Sequence, residues 1–258
     1  MIPQAFVTHW SRVVPWSSPD QVEQDLALSR LICEIANGPT LGHELVFRGG
    51  TCLHKLHMSE PLRYSEDLDY VRTTHGPIGP VFDELRAVAA AVGMRASTDI
   101  GQHPKVFFRS EFESGSGPMR IKVEINTFET SPARPHLRIP YALESPWWSG
   151  EAEVLTFEPA ELMATKLRAM YQRRKGRDLF DLWLALTKLG LDPDEILACL
   201  VPYRPEGYTT ATAITNLEAH LKHRAFRDDL VDLVAADSDF DIEEAAAVVT
   251  DRLLRHLG

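Results

Sequence analysis

Apolar residues recur at helical spacing over residues 19–36, where Val22, Leu26, Leu31, Ile32 and Ile35 follow a proline and an acid, and the run stops at Asn37-Gly38-Pro39. The same period returns over 80–92. Extended stretches are expected at 94–98, 106–111 and 119–128, the last two joined by a hairpin turn at Ser114-Gly115-Ser116-Gly117. In the third stretch Ile121, Val123 and Ile125 alternate with Lys122, Glu124 and Asn126, so one face should be buried and the other polar. Residues 130–150, rich in proline and aromatics, read as a long connection between two lobes. Beyond them helices are expected at 158–173, 176–189, 192–201, 210–222, 225–236 and 241–256. The pattern predicts an α+β chain: a mixed sheet with helices on one side over 1–150, then a helical lobe over 151–258.

The most informative stretch runs from Phe47 to Tyr70. A short strand at Leu45–Phe47 meets Gly49 and Gly50, and a helix is expected to restart at Thr51. Glycines at that position let a ligand approach the backbone, and a helix N-terminus offers N–H groups to a phosphate. Downstream, an extended Ser65–Tyr70 would set Ser65, Asp67 and Asp69 on one face, with the two carboxylates roughly 7 Å apart at Cα. Acids at that spacing can share divalent cations.

Composition changes this picture only in part. The chain has 258 residues, three scattered cysteines without a CxxC pattern, and no apolar run of about 18 residues, so a soluble, cytoplasmic protein without membrane contact is expected. The formal net charge of −10 speaks against a nucleic-acid partner until its distribution is read. Nine acids and no Lys or Arg lie between Asp228 and Asp251, whereas Lys166 to Arg177 carries six basic residues and no acid. A basic stripe of that kind can hold phosphates within an acidic protein.

Nucleotidyl transfer requires a triphosphate to be held and its developing charge neutralised, and two-metal sites with ions about 4 Å apart do this with two or three carboxylates. Asp67, Asp69 and Glu124 fit that need, with Mg²⁺ as the hard cation. Lys166, Met170, Arg173, Arg177 and Asp181 would share a helix face if Gly176 does not break it, with Lys166 and Arg173 meeting phosphates and Asp178 and Asp181 orienting them. The same residues could instead form an internal salt-bridge stripe. His54 and His57, one helical turn apart without a third ligand, read as an ordinary helix surface. Trp147 and Trp148 read as packing between lobes.

The ordered set Arg48-Gly49-Gly50-Thr51, Arg63 to Tyr70, Lys122 with Glu124, and Lys166 through Arg173 to Arg177-Asp178 and Asp181-Leu182 resembles the nucleotidyltransferase-like toxins of AbiEii and MenT type. The resemblance implies a nucleotidyltransferase-like first lobe, a helical second lobe, an active site between them, and Mg²⁺-dependent use of a nucleoside triphosphate. It implies a toxin, neutralised by a cognate antitoxin, that adds nucleotides to the 3′ end of tRNA and so blocks aminoacylation and translation. By motif position, Gly49, Gly50, Thr51 and Ser65 would bind phosphate, Asp67 and Asp69 the metals, Lys166 and Arg173 the triphosphate, and Asp181 would be an essential acid. Arg48, Lys122, Arg177 and Asp178 would support them. Transfer to a protein hydroxyl or a small molecule, and a binding module without turnover, are the alternatives.

Overall fold

Alternation along the central strands decides which face of the sheet is buried. In the computed structural model, which describes residues 2–234 and 239–258, the chain forms two compact units, Met1–Ser131 with His136–Phe157 and Pro132–Pro135 with Glu158–Gly258. The first unit holds β1 (Leu45–Arg48), β2 (Asp67–Arg72), β3 (Arg95–Ile100), β4 (Pro104–Glu111), β5 (Pro118–Asn126), β6 (Leu137–Glu144) and β7 (Ser149–Thr156). They form one sheet in the order β3-β4-β5-β2-β1-β7-β6. β2 pairs parallel with β5 and β1 parallel with β7, while the other neighbours are antiparallel. Val106, Phe108, Ile121, Val123, Ile125 and Leu68 are fully buried, so their face of the sheet is its core side.

The helices of this unit are α1 (Gln4–Trp10), α2 (Pro19–Ala36), α3 (Leu41–Glu44), α4 (Gly49–Cys52) and α5 (Gly79–Ala91). α2 packs on β5, β6 and β7, and α5 on β3 and β4. α2 also buries Asp25, which accepts from the indole N–H groups of Trp10 (2.9 Å) and Trp16 (3.1 Å) and from Lys55 (2.7 Å). Those bonds satisfy a buried charge that would otherwise be costly, and they fasten the N-terminal segment.

The expected long connection over 130–150 is instead largely the β6–β7 hairpin, which carries the first unit to Phe157. Pro140 disguises the strand. It is tolerated because β6 is an edge of the sheet, where a missing N–H leaves no interior ladder bond unmade. Trp147 and Trp148 pack on the Arg30 guanidinium of α2, at 5.1 and 5.3 Å, and this contact lies within the first unit. The helix after β1 begins at Gly49, two residues before its expected start, and passes into a single π turn over Leu53–His57. That turn is not surface: His54 is buried, and burial pushes the half-buried His57 down to about 4.

The second unit contains α6 (Pro159–Gln172), α7 (Gly176–Thr187), α8 (Pro193–Leu200), α9 (Thr210–Leu221), α10 (Arg224–Arg227) and α11 (Ile242–Arg252). The side chains of Asp192, Thr209 and Asp241 cap the N-termini of α8, α9 and α11. The helix expected over 225–236 is the short α10 followed by a 3₁₀ turn at Asp228–Leu230, and positions 235 and 236 lie outside the described residues. Several acids of the C-terminal run pair within this unit: Asp228 with Arg224, Asp229 with Lys175, Asp239 with Lys188, Glu243 with Arg227 and Asp251 with Arg255. Among the described residues no helix is long and apolar enough to cross a membrane.

Candidate active site

β2 runs between β1 and β5, and its register fixes the chemistry of the polar face. Asp67 stands opposite Lys122, and Asp69 stands opposite Glu124 on one side and Arg48 on the other. Residues directly opposite in a sheet share a face, so Asp67, Asp69, Lys122, Glu124 and Arg48 project together. Lys122 Nζ lies 3.0 Å from Asp67 and 3.0 Å from Glu124, and Lys105 of β4 lies 3.7 Å from Glu124. Arg48 pairs with Glu129 at 2.6 Å.

This wiring leaves Asp69 electrostatically strained. Burial, then the neighbouring Asp67 charge, raises its carboxyl above the usual range, and Lys122 and Arg48 offset only part of that. Burial would likewise raise Glu124 and lower Lys122, but their mutual bond and nearby charges win, so Glu124 is held below and Lys122 above their ordinary values.

The glycine turn is shaped by the same strand. Gly49 has φ +84°, and a Cβ there would lie 2.5 Å from Asp69 Oδ2, so both conformation and space require glycine. A Cβ on Gly50 would lie 2.2 Å from an Arg63 nitrogen. The Thr51 hydroxyl donates to the Asp67 carbonyl at 2.5 Å and sits 2.8 Å from the Ser65 hydroxyl, tying α4 to the start of β2. β2 begins at Asp67, so Ser65 precedes the strand and reaches the turn through Thr51.

In the second unit the expected continuous helix face is broken. α6 ends at Gln172, Arg173 is extended, and α7 starts at Gly176, where a Cβ would lie 2.2 Å from the Phe226 carbonyl oxygen. The break folds the basic residues onto the acids. Lys166 Nζ lies 3.2 Å from Asp178 and 2.8 Å from Asp181, and Arg173 holds Asp178 with two bonds of 2.8 Å. Asp178 and Asp181 are fully buried. Burial would raise Asp178, yet Lys166 and Arg173 outweigh it and keep the carboxyl below its usual range. Arg177 turns to Asp229, through its backbone N–H at 3.2 Å and its guanidinium at 4.0 Å.

Two residues join the first-unit site without a role assigned from sequence, although Arg63 opens the Arg63–Tyr70 motif. Arg63, almost wholly buried, places its guanidinium against Gly50 and donates to the Tyr64 carbonyl at 2.9 Å. Its signal in the sequence is its place at the head of that motif, two positions before Ser65. Lys105 becomes visible once the β4–β5 register pairs it with Glu124.

Solved structures share this fold. JHP933 from Helicobacter pylori matches with TM-score 0.57 at 17% identity, over 93% of this chain and 94% of its own. A second Helicobacter pylori protein, a candidate nucleotidyltransferase, matches with TM-score 0.56 at 17% identity, over 93% and 97%. MenT4, a nucleotidyltransferase toxin from Mycobacterium tuberculosis, aligns over 100% of this chain and 99% of its own at 18% identity with TM-score 0.48. No curated protein matches the sequence significantly. The family described as nucleotidyl transferase AbiEii toxin, type IV toxin–antitoxin system, matches residues 30–250. The chain belongs to that family and is a nucleotidyltransferase.

Proposed function

We propose that this toxin transfers a nucleoside monophosphate from a nucleoside triphosphate to the 3′-hydroxyl of an RNA, foremost the acceptor end of tRNA, with pyrophosphate leaving. Capping that end blocks aminoacylation and so translation in the cytoplasm, and the family setting supports a cognate antitoxin as its regulator. The observation that carries the reading is the Asp67–Asp69 pair set in register beside the Gly49–Gly50 turn.

The donor set fits Mg²⁺. Among the described residues no three or more His, Cys, Asp or Glu side chains gather into an all-protein cage. Mg²⁺ needs no such cage, because it keeps waters and substrate phosphates in its shell and takes one or two carboxylates from protein. Asp67 and Asp69 would supply these, and a cation there would favour the ionised form of Asp69, whose carboxyl is raised chiefly by burial and then by the Asp67 charge. Bound there, the cation would offset the triphosphate charge and acidify the acceptor hydroxyl.

The chain's own residues do the rest of the work. Gly49 and Gly50 keep side-chain bulk away from the phosphate approach, and Thr51 and Ser65 brace the turn. Lys122 divides its charge between Asp67 and Glu124, the third acid of the set. In the second unit Lys166 and Arg173 are the proposed phosphate contacts. Asp178 and Asp181 hold Lys166 in place, and Arg48 and Arg177 support neighbouring segments.

Transfer from each of four α-³²P-labelled nucleoside triphosphates to total tRNA, with Mg²⁺, comparing wild type with Asp67→Ala, tests this reading. Label on tRNA from wild type alone is expected. Label appearing on a protein or a small molecule while tRNA stays dark would overturn the RNA acceptor. No turnover from folded protein that binds triphosphate would favour a binding module.

A further inference from the structure

The sheet face that carries Asp67 and Asp69 continues beyond them across β5, β4 and β3, and its residues fall into three rows. One row is Asp99, Lys105, Glu124, Asp69 and Arg48. The next is Ser97, Phe107, Lys122 and Asp67. The third is Arg95, Arg109 and Arg120, one on each of β3, β4 and β5. Successive rows are about 7 Å apart and neighbouring strands about 4.8 Å apart. The arginine row therefore lies about two pleat repeats along the face from the row of Asp69. The core face of these three strands is covered by α2 and α5, whereas Arg95, Arg109 and Arg120 are exposed.

The row makes little sense as a stabilising device. Like charges directly opposite on adjacent strands repel, and here Arg109 faces Arg95 on one side and Arg120 on the other. No carboxylate pairs with any of the three among the described residues; Arg109 bonds the Ser97 hydroxyl at 2.6 Å. Protecting a sheet edge accounts for charge on β3, the outermost strand, but not for arginines on β4 and β5 in the interior of the sheet. The acids of this region form no ion pair with the row: Glu124 is taken by Lys122 and Lys105, Asp99 stands opposite Lys105, and Glu111, which lines the same surface cleft as Arg95 and Arg109, stands opposite Pro118.

An aromatic ring sits next to this charge. Phe107 lies in the middle row, half-buried, with the Arg120 guanidinium 4.0 Å and that of Arg109 5.6 Å from its centroid. Aromatic rings and guanidinium planes are the surfaces on which unpaired bases stack, and arginines within reach of phosphates supply sequence-independent grip. In a chain of net charge −10, three arginines without an ion pair among the described residues, around a half-buried ring on the same strand face as Asp67 and Asp69, complement a polyanion.

We propose that Arg95, Arg109, Arg120 and Phe107 form the platform that holds the RNA acceptor strand and leads its 3′ end toward Asp67 and Asp69. The proposal rests on the RNA-transfer reading above and names the surface that selects that substrate. It moves the principal RNA grip away from the basic run at 166–177, where Lys166 and Arg173 are bound to Asp178.

The test is binding of labelled total tRNA to the full-length protein between 50 and 200 mM salt, for wild type, Arg109→Ala/Arg120→Ala, and the Arg109→Lys/Arg120→Lys control. Binding of each nucleoside triphosphate is measured in parallel. These arginines are exposed, and unchanged triphosphate binding and near-ultraviolet circular dichroism confirm the fold. The alanine double variant should bind tRNA at least about 10-fold more weakly, with a salt slope reduced by about 1.5, and the lysine variant should recover most of the affinity. Equal affinity and slope for wild type and alanine variant would overturn the platform while leaving the RNA reading intact. A wild type that binds and labels no tRNA would overturn both.

Discussion

The molecule contains two pairs of buried or half-buried aspartates, and they are wired oppositely. Asp178 and Asp181, on α7, are met by Lys166, and Asp178 also by both arms of Arg173; its carboxyl is held below the usual range. Asp67, Asp69 and Glu124, on β2 and β5, face Lys122, which lies 3.0 Å from Asp67 and from Glu124, and Lys105 lies 3.7 Å from Glu124; the Asp69 carboxyl is nonetheless raised, chiefly by burial and then by the Asp67 charge. Compensated acids are what a fold keeps for its own cohesion. An acid left short of positive charge is tolerated where a ligand supplies the remainder. On the proposed reading, charge balance distinguishes the cation-binding pair Asp67 and Asp69 from Asp178 and Asp181, which hold the proposed phosphate contact Lys166 in place.

The largest effect expected is on turnover. Asp67→Ala should lower nucleotidyl transfer by about 10³-fold or more, because it removes a proposed cation ligand whose work would be done in the transition state. Its melting temperature should stay close to wild type, since a half-exposed acid on the polar sheet face contributes little to cohesion. Substantial residual transfer together with a large fall in melting temperature would place Asp67 on the structural side of the comparison.

Next in size is Asp178→Asn, which leaves Arg173 without its bidentate partner and Lys166 with only Asp181. A loss of about 3 kcal/mol in the stability of the second unit is expected, read from urea unfolding. The pH dependence follows from the depressed carboxyl. The stabilisation from Asp178 is fully present above the unfolded-state value near 4 and is lost as pH falls through the lower folded-state value. The variant should therefore show a flatter stability curve below pH 4. Identical acid limbs for the two proteins would show that Asp178 is not the compensated group it appears from its bonds.

Pattern made the frame of this molecule legible, and long-range register did not. Helix α2 falls on the expected 19–36, bounded by its proline start and the Asn37-Gly38-Pro39 stop although it is buried on nearly all sides, and the Ile121, Val123, Ile125 alternation marks β5, because one-sided burial writes a period of two into that strand. The β6–β7 hairpin was hidden by Pro140 and by a composition typical of connections. The helix face breaks at Arg173, before Gly176, and the contact that requires glycine at 176, the Phe226 carbonyl, lies 50 positions downstream. The Asp67–Asp69 pair was readable from spacing. That Lys122 would reach Asp67, that Lys105 would reach Glu124, and that Arg63 would back Gly50 depended on strand order, which local sequence does not encode.

The subtlest prediction concerns Asp69→Asn, and its sign distinguishes the two clusters. Asp69 ionises less readily in the folded chain than in the unfolded one, chiefly through burial and then through the charge of Asp67. Such a group favours the fold below its unfolded-state value near 4 and withdraws that contribution as pH rises through its higher folded-state value. At neutral pH its charge is a cost, and the uncharged isostere should remove it, stabilising the metal-free first unit by about 1 kcal/mol while abolishing transfer. The difference in melting temperature between Asp69→Asn and wild type should open between pH 4 and 8 and close at lower pH. Added Mg²⁺ should then narrow it again by stabilising only the wild type, since the variant has lost the carboxylate proposed to hold the ion. A variant less stable than wild type at pH 8 without Mg²⁺ would mean that Lys122 and Arg48 already compensate Asp69, and the contrast with Asp178 would collapse.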